Sequence, residues 1–108
     1  MLKGIDHRLN ADVLGTLRAM GHGDYLIVSD TNFPADAIAQ QTTLGYLLRM
    51  ENLTAAEAIN AILSVMPLDT FVDDFAGRMQ VGDDPNVIPP VQQEVAAEVK
   101  AAGADRPL

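Results

Sequence analysis

The 108-residue sequence predicts an α/β fold, a layered α/β/α domain around a mixed sheet. Three observations carry this. Apolar residues recur at helical spacing in three stretches, short β-rich runs lie between them, and the two patterns alternate along the chain. The length suits one domain over residues 1–108 with a modest core.

The first helix is read from Asn10 to Met20. Asn10 is a good N-cap, because its side chain can accept from an otherwise unpaired backbone N–H. Leu9 and Leu14 take the hydrophobic-staple positions. Val13, Leu14, Leu17 and Met20 form the apolar stripe, and Gly21 is the expected left-handed residue past the end. Tyr25-Leu26-Ile27-Val28-Ser29 is rich in β-formers and apolar on both faces, which predicts a central, covered strand. Pro34 pushes Phe33 toward extended geometry and blocks a ladder. Ala35–Gln40 reads as a short helical turn, and Thr42–Arg49 as a second strand broken by Gly45.

Thr54-Ala55-Ala56-Glu57 is a capping box that opens the second main helix. Ile59, Ile62, Leu63 and Met66 form its apolar face, and Pro67 stops it. Arg78–Val81 is a candidate short strand before the turn Gly82-Asp83-Asp84-Pro85. Pro89-Pro90 opens a third helix with Val91, Val95 and Val99 on one face and Gly103 past its end. Two or three strands make a thin sheet, and Arg106-Pro107-Leu108 follows soon after a helix. The reading therefore expects the C-terminal strands of the fold to be absent from this chain.

Composition narrows the function. Seven Lys+Arg against fifteen Asp+Glu give a net charge of −8, unsuited to phosphate backbones or an anionic membrane surface. No cysteine is present, which excludes disulfides, thiolate catalysis and iron–sulfur clusters. The N-terminus has no apolar signal region and no stretch reaches the ~20 residues of a spanning helix, so a cytoplasmic protein is expected. Aromatics at 5% and no Trp argue against a base-stacking platform.

Met20-Gly21-His22-Gly23-Asp24 is the most pointed segment. A histidine between glycines can present its imidazole to a ligand, and Asp24, two residues on, could hold its tautomer. On the residues alone, the commoner reading of such a segment is a helix cap followed by an exposed turn histidine. Asp30 ends the predicted strand, where ligands bind in open α/β sheets and where a carboxylate can accept sugar hydroxyls. A turn or cap aspartate is the alternative. Asp73-Asp74 and Asp83-Asp84 lack calcium-loop spacing, His7 has no partner at metal-ligand spacing, and no metal is expected. Gly21-His22-Gly23 precedes a strand rather than following one, so it is no dinucleotide fingerprint.

Met1-Leu2-Lys3-Gly4-Ile5, Met20-Gly21-His22-Gly23-Asp24 and Ser29-Asp30-Thr31-Asn32-Phe33-Pro34 resemble the L-fucose mutarotase family, which is related to D-ribose pyranase. Pro67-Leu68-Asp69-Thr70 and Gly77-Arg78-Met79 resemble its middle region. Asn32-Phe33-Pro34 favours the fucose branch. The resemblance implies interconversion of monosaccharide anomers without a cofactor, in a homo-oligomer that is commonly a ring-shaped decamer. It gives His22 the role of proton donor and Asp30 that of a substrate-binding carboxylate. The family's C-terminal Tyr-Gly-Asn segment and the basic residue before it have no counterpart here.

The chemistry is consistent with those residues. Mutarotation opens a hemiacetal: a proton reaches the ring oxygen, another leaves the anomeric hydroxyl, and the sugar recloses on the other face. Imidazole, with an ordinary pKa of about 6.5, suits reversible proton transfer near neutrality. Pyranose–furanose exchange, non-catalytic sugar binding and a purely structural module remain alternatives. A strand between His22 and Asp30 would separate them by on the order of 20 Å at roughly 3.3 Å per residue, so a pocket shared between subunits is expected.

Overall fold

The computed structural model describes all 108 residues, in four helices: α1 (Ala11–Ala19), α2 (Ala35–Ala39), α3 (Ala55–Leu63) and α4 (Pro90–Ala101). In α1 the Asn10 side chain accepts from the Val13 N–H at 2.9 Å, as its N-cap position requires. The Asn10 amide also donates to the Arg49 carbonyl at 2.7 Å, tying the helix start to a distant segment. Asp12 in the first turn and Arg18 in the last complement the helix dipole. The end differs from expectation. Met20 is already extended, and the left-handed residue is Gly23 (φ +90°) rather than Gly21. Helix exit and loop reversal are thus separated by three residues.

The α3 capping box is complete. The Glu57 N–H donates to Thr54 Oγ1 at 3.1 Å, and the Thr54 N–H donates to Glu57 Oε1 at 2.9 Å. Ala58, Ala61 and Ile62 are the buried residues of α3, with Ile59, Leu63 and Met66 half-buried beside them. The small side chains let neighbouring elements approach closely. Helix α4 packs against α3 and buries Val99, while Val91 at its start stays exposed. Gly103 (φ +109°) ends α4, its N–H donating to the Lys100 carbonyl while the Ala104 N–H donates to that of Val99. That pair of bonds is a Schellman cap.

Leu9, Val13, Ala61 and Ile62 form the core, with Leu14, Leu17, Leu26, Leu48, Met50 and Met66 packed around it. A polar chain crosses its rim. Arg8 donates to Asp6, to the Glu57 carbonyl and to Asn60 Oδ1, and Asn60 donates to Glu98. The N-terminal segment, α3 and α4 are joined by these bonds.

The expected layered α/β/α domain with a mixed sheet is overturned: the chain is 32% helical and contains no sheet. A strand exists only where a neighbour answers its N–H and C=O groups, about 4.8 Å away. Tyr25–Ser29 makes no backbone–backbone hydrogen bond, and in the expected second strand, Thr42–Arg49, only Thr42 makes one, its N–H donating to the Ala39 carbonyl at the end of α2. The first run is not the covered central strand expected of it. Leu26 packs toward the core, but Tyr25 and Ile27 are 78% and 74% exposed. Arg78–Val81 likewise gives only a bridge between Val81 and Asp84, across the turn at Gly82. Its place is fixed by Arg78, which donates to the Pro85 and Val87 carbonyls and to Gln92 Oε1.

Candidate functional site

His22 stands in the loop after α1, Gly21–Asp24. The loop is closed from within: the Asp24 N–H donates to the Gly21 carbonyl at 3.1 Å, and the Gly21 N–H donates to Asp24 Oδ2 at 2.8 Å. The positive φ of Gly23 makes that reversal possible without a steric penalty. The imidazole is carried outward, 73% exposed, yet it is not free. Its Nδ1 lies 3.0 Å from Asp69 Oδ2, and the Phe71 ring meets it edge-on with centroids 5.1 Å apart.

Asp69 belongs to the segment after α3. Its second oxygen, Oδ1, accepts the Phe71 N–H at 3.0 Å. The His22 hydrogen bond first, and the Phe71 N–H second, hold the Asp69 carboxyl below its ordinary pKa. The carboxylate that meets the imidazole is thus Asp69, 47 residues distant in sequence, while Asp24 shapes the loop.

Asp30 occupies the turn before α2. Its Oδ1 accepts from both the Asn32 and the Phe33 N–H at 3.0 Å, an Asx turn that fixes the approach to Pro34. Its Oδ2 makes no hydrogen bond within the chain. His22 and Asp30 flank the extended run Tyr25–Ser29 at its two ends, and no hydrogen bond or ring contact joins them. No group of three His, Asp or Glu side chains is placed to hold a metal ion. No helix is long and apolar enough to cross a membrane.

The sequence pattern assigns no role to Asp69 or Phe71. Asp69-Thr70 directly after Pro67-Leu68 was the available signal, a carboxylate fixed just beyond a helix stop. Its pairing with His22 depends on tertiary structure.

Residues 3–107 match the model of the RbsD / FucU transport protein family. The fucose mutarotase of Homo sapiens is 33% identical over 110 residues, covering 99% of this chain and 70% of the human protein. The mouse fucose mutarotase is 36% identical over 80 residues, a match spanning 74% of this chain and about half (51%) of that protein. The L-fucose mutarotase of Actinobacillus pleuropneumoniae serotype 5b is 29% identical, over 99% of this chain and 71% of its own length. Among solved structures, protein Atu2016, described as a candidate sugar-binding protein, superposes with a TM-score of 0.90 at 58% identity. That superposition covers 94% of this chain and 68% of the other. With a family model matched over nearly its whole length, and the human relative at 33% identity, this chain belongs to the RbsD/FucU family.

Proposed function

We propose that this protein is a mutarotase, an isomerase that interconverts the α and β anomers of L-fucose or a similar monosaccharide. The observation that carries the reading is the His22 imidazole. It is exposed to an incoming ligand, yet held at Nδ1 by a carboxylate, in a chain whose relatives are named fucose mutarotase. In this reading His22 takes the proton of the anomeric hydroxyl and delivers it to the sugar ring oxygen as the hemiacetal opens, and runs the same transfer in reverse as it recloses. General acid–base catalysis of this kind contributes about 10²–10⁴-fold.

Asp30 binds sugar hydroxyls through Oδ2, the oxygen its own turn leaves free. Asp24 acts on the reaction only through the loop that presents His22. Phe71, 85% exposed beside the imidazole, offers an apolar wall for the carbon face of a sugar. The protein works in the cytoplasm as a homo-oligomer, a ring-shaped decamer by the resemblance. The exposed Tyr25, Ile27 and Val28 support association between chains. A site completed by a neighbouring subunit also accommodates His22 and Asp30 at opposite ends of an extended run.

Saturation-transfer NMR between the α and β anomers of fucose, ribose, galactose and rhamnose tests this reading. The expected result is faster exchange for fucose. Sugar-dependent shifts of the protein signals without faster exchange would instead make it a sugar-binding protein, the reading that the similarity to protein Atu2016 favours. Faster pyranose–furanose exchange of ribose in place of fucose anomer exchange would move it to the pyranase branch.

A further inference from the structure

We propose that Asp69 is a positioning residue for His22, fixing the imidazole as the Nδ1–H tautomer and so leaving Nε2 as the atom that exchanges protons with the sugar. The geometry supplies the argument. Both Asp69 oxygens are engaged, Oδ1 by the Phe71 N–H and Oδ2 by His22 Nδ1, each at 3.0 Å. An ionised carboxylate has only acceptors, so the ring nitrogen facing it must carry the hydrogen. The other ring nitrogen then holds a lone pair in the neutral ring and a proton in the charged one. Nε2 can thus act as base on the anomeric hydroxyl and as acid toward the ring oxygen, with no rotation of the ring between the two steps.

Three further features agree. The side chain of Asp69 is only 25% exposed, so it is better fixed than the imidazole it holds. The Phe71 ring packs edge-on against the imidazole, at 85° to it, while the backbone N–H of Phe71 holds the other Asp69 oxygen. Asp24, the carboxylate nearest in sequence, is occupied by the Gly21 N–H. Asp69 touches no reacting atom in this arrangement and acts through the imidazole alone.

The catalytic half of this inference rests on the mutarotase reading; the tautomer half does not. The experiment uses the full chain with ¹⁵N-labelled histidine, at a pH where the rings are neutral. The chain has two histidines, and a His7→Gln variant assigns the signals. The ¹⁵N shifts are expected to show His22 protonated at Nδ1 in the wild type, with Asp69→Ala shifting it toward the Nε2–H form. Asp69→Asn keeps the size of the side chain, but its amide can donate to Nδ1 and select the wrong tautomer. Anomer exchange in Asp69→Asn is expected to fall at least tenfold in kcat with KM little changed, and by no more than the about 10²–10⁴-fold that acid–base catalysis supplies in all.

A wild-type His22 in the Nε2–H form overturns the proposal whatever the variants do. So does an altered tautomer in Asp69→Asn with an unaltered exchange rate. If the wild type accelerates no sugar, the mutarotase reading fails, while the ¹⁵N spectrum still decides whether Asp69 sets the tautomer.

Discussion

The stretch Thr54–Met66 is held by its own neighbours, whereas the loop Gly21–Asp24 holds a side chain whose partner lies elsewhere. At the start of α3, Thr54 and Glu57 satisfy each other across three residues. At its end, the Ser64 hydroxyl donates to the Ala61 carbonyl at 2.5 Å and the Met66 N–H to that of Ile62. The glycine loop also closes locally, but its imidazole is anchored 47 residues away, at Asp69. Contacts that hold the fold and contacts that aim the site are therefore different sets, and each can be broken without the other.

Replacing His22 by alanine should have the largest effect, and chiefly on activity. Anomer exchange is expected to drop by about 10²–10⁴-fold. The side chain is 73% exposed, so no core cavity forms, and the thermal midpoint should fall only by the small contribution of the exposed His22–Asp69 pair. Wild-type exchange in the purified variant would remove His22 from the reaction; a midpoint lowered by as much as a core truncation would show that the loop supports the fold.

Ile62→Ala reverses the pattern. Ile62 is 5% exposed inside the core cluster, and truncation of such a residue costs about 2–5 kcal/mol. The urea midpoint should fall accordingly, while exchange per folded molecule stays near wild type. A smaller loss follows from Thr54→Ala, which removes one side of the capping box and costs about 1 kcal/mol by the same measurement. A null result there would mean that tertiary packing, not the cap, fixes where α3 begins.

Acid should act on both regions, most gradually of all. Asp6, held low by its hydrogen bonds to Arg8, Glu57, held low by the backbone and hydroxyl of Thr54, and Asp69, held low by His22, all have depressed pKa values in the folded chain. A depressed carboxyl binds fewer protons folded than unfolded, so its stabilisation is full above the unfolded pKa of about 4 and is lost as the pH falls through the folded one. Thermal midpoints measured from pH 6 down to 3 should be flat at first and then decline. Asp69→Ala should lessen the decline, and an identical curve would show that the His22–Asp69 pair contributes nothing to stability.

The helices are legible in the sequence because their signals are local. Asn10, the Thr54/Glu57 box, Pro90 and Gly103 each act within a turn of the residue they serve, and all are found where the pattern puts them. The strands are not, because a β-rich composition states a preference and says nothing of a partner. Tyr25–Ser29 has the right residues and no neighbouring ladder, so it stays extended, with Tyr25 and Ile27 facing solvent. The same limit applies at the site. His22 is conspicuous between two glycines, and the sequence draws the eye to Asp24 as its companion. Two residues of tight loop direct that carboxylate to the Gly21 N–H instead, and the partner comes from the segment beyond α3.

Three of the seven cationic side chains serve as internal fasteners. Arg8 donates to Asp6, the Glu57 carbonyl and Asn60; Arg78 to the Pro85 and Val87 carbonyls and Gln92. Arg106 lies over the Phe75 ring and donates to the Val72 and Asp73 carbonyls and to Asp105. A guanidinium clasps an oxyanion well only when its fork of parallel N–H groups is open. Here a phosphate or sulfate ester would have to displace a carbonyl or a neighbouring side chain to gain that clasp, and would first have to approach a chain of net charge −8. Encounters with anionic solutes should therefore be slow at low ionic strength and quicken as salt is added, whereas uncharged polyols diffuse in at a rate that salt leaves alone.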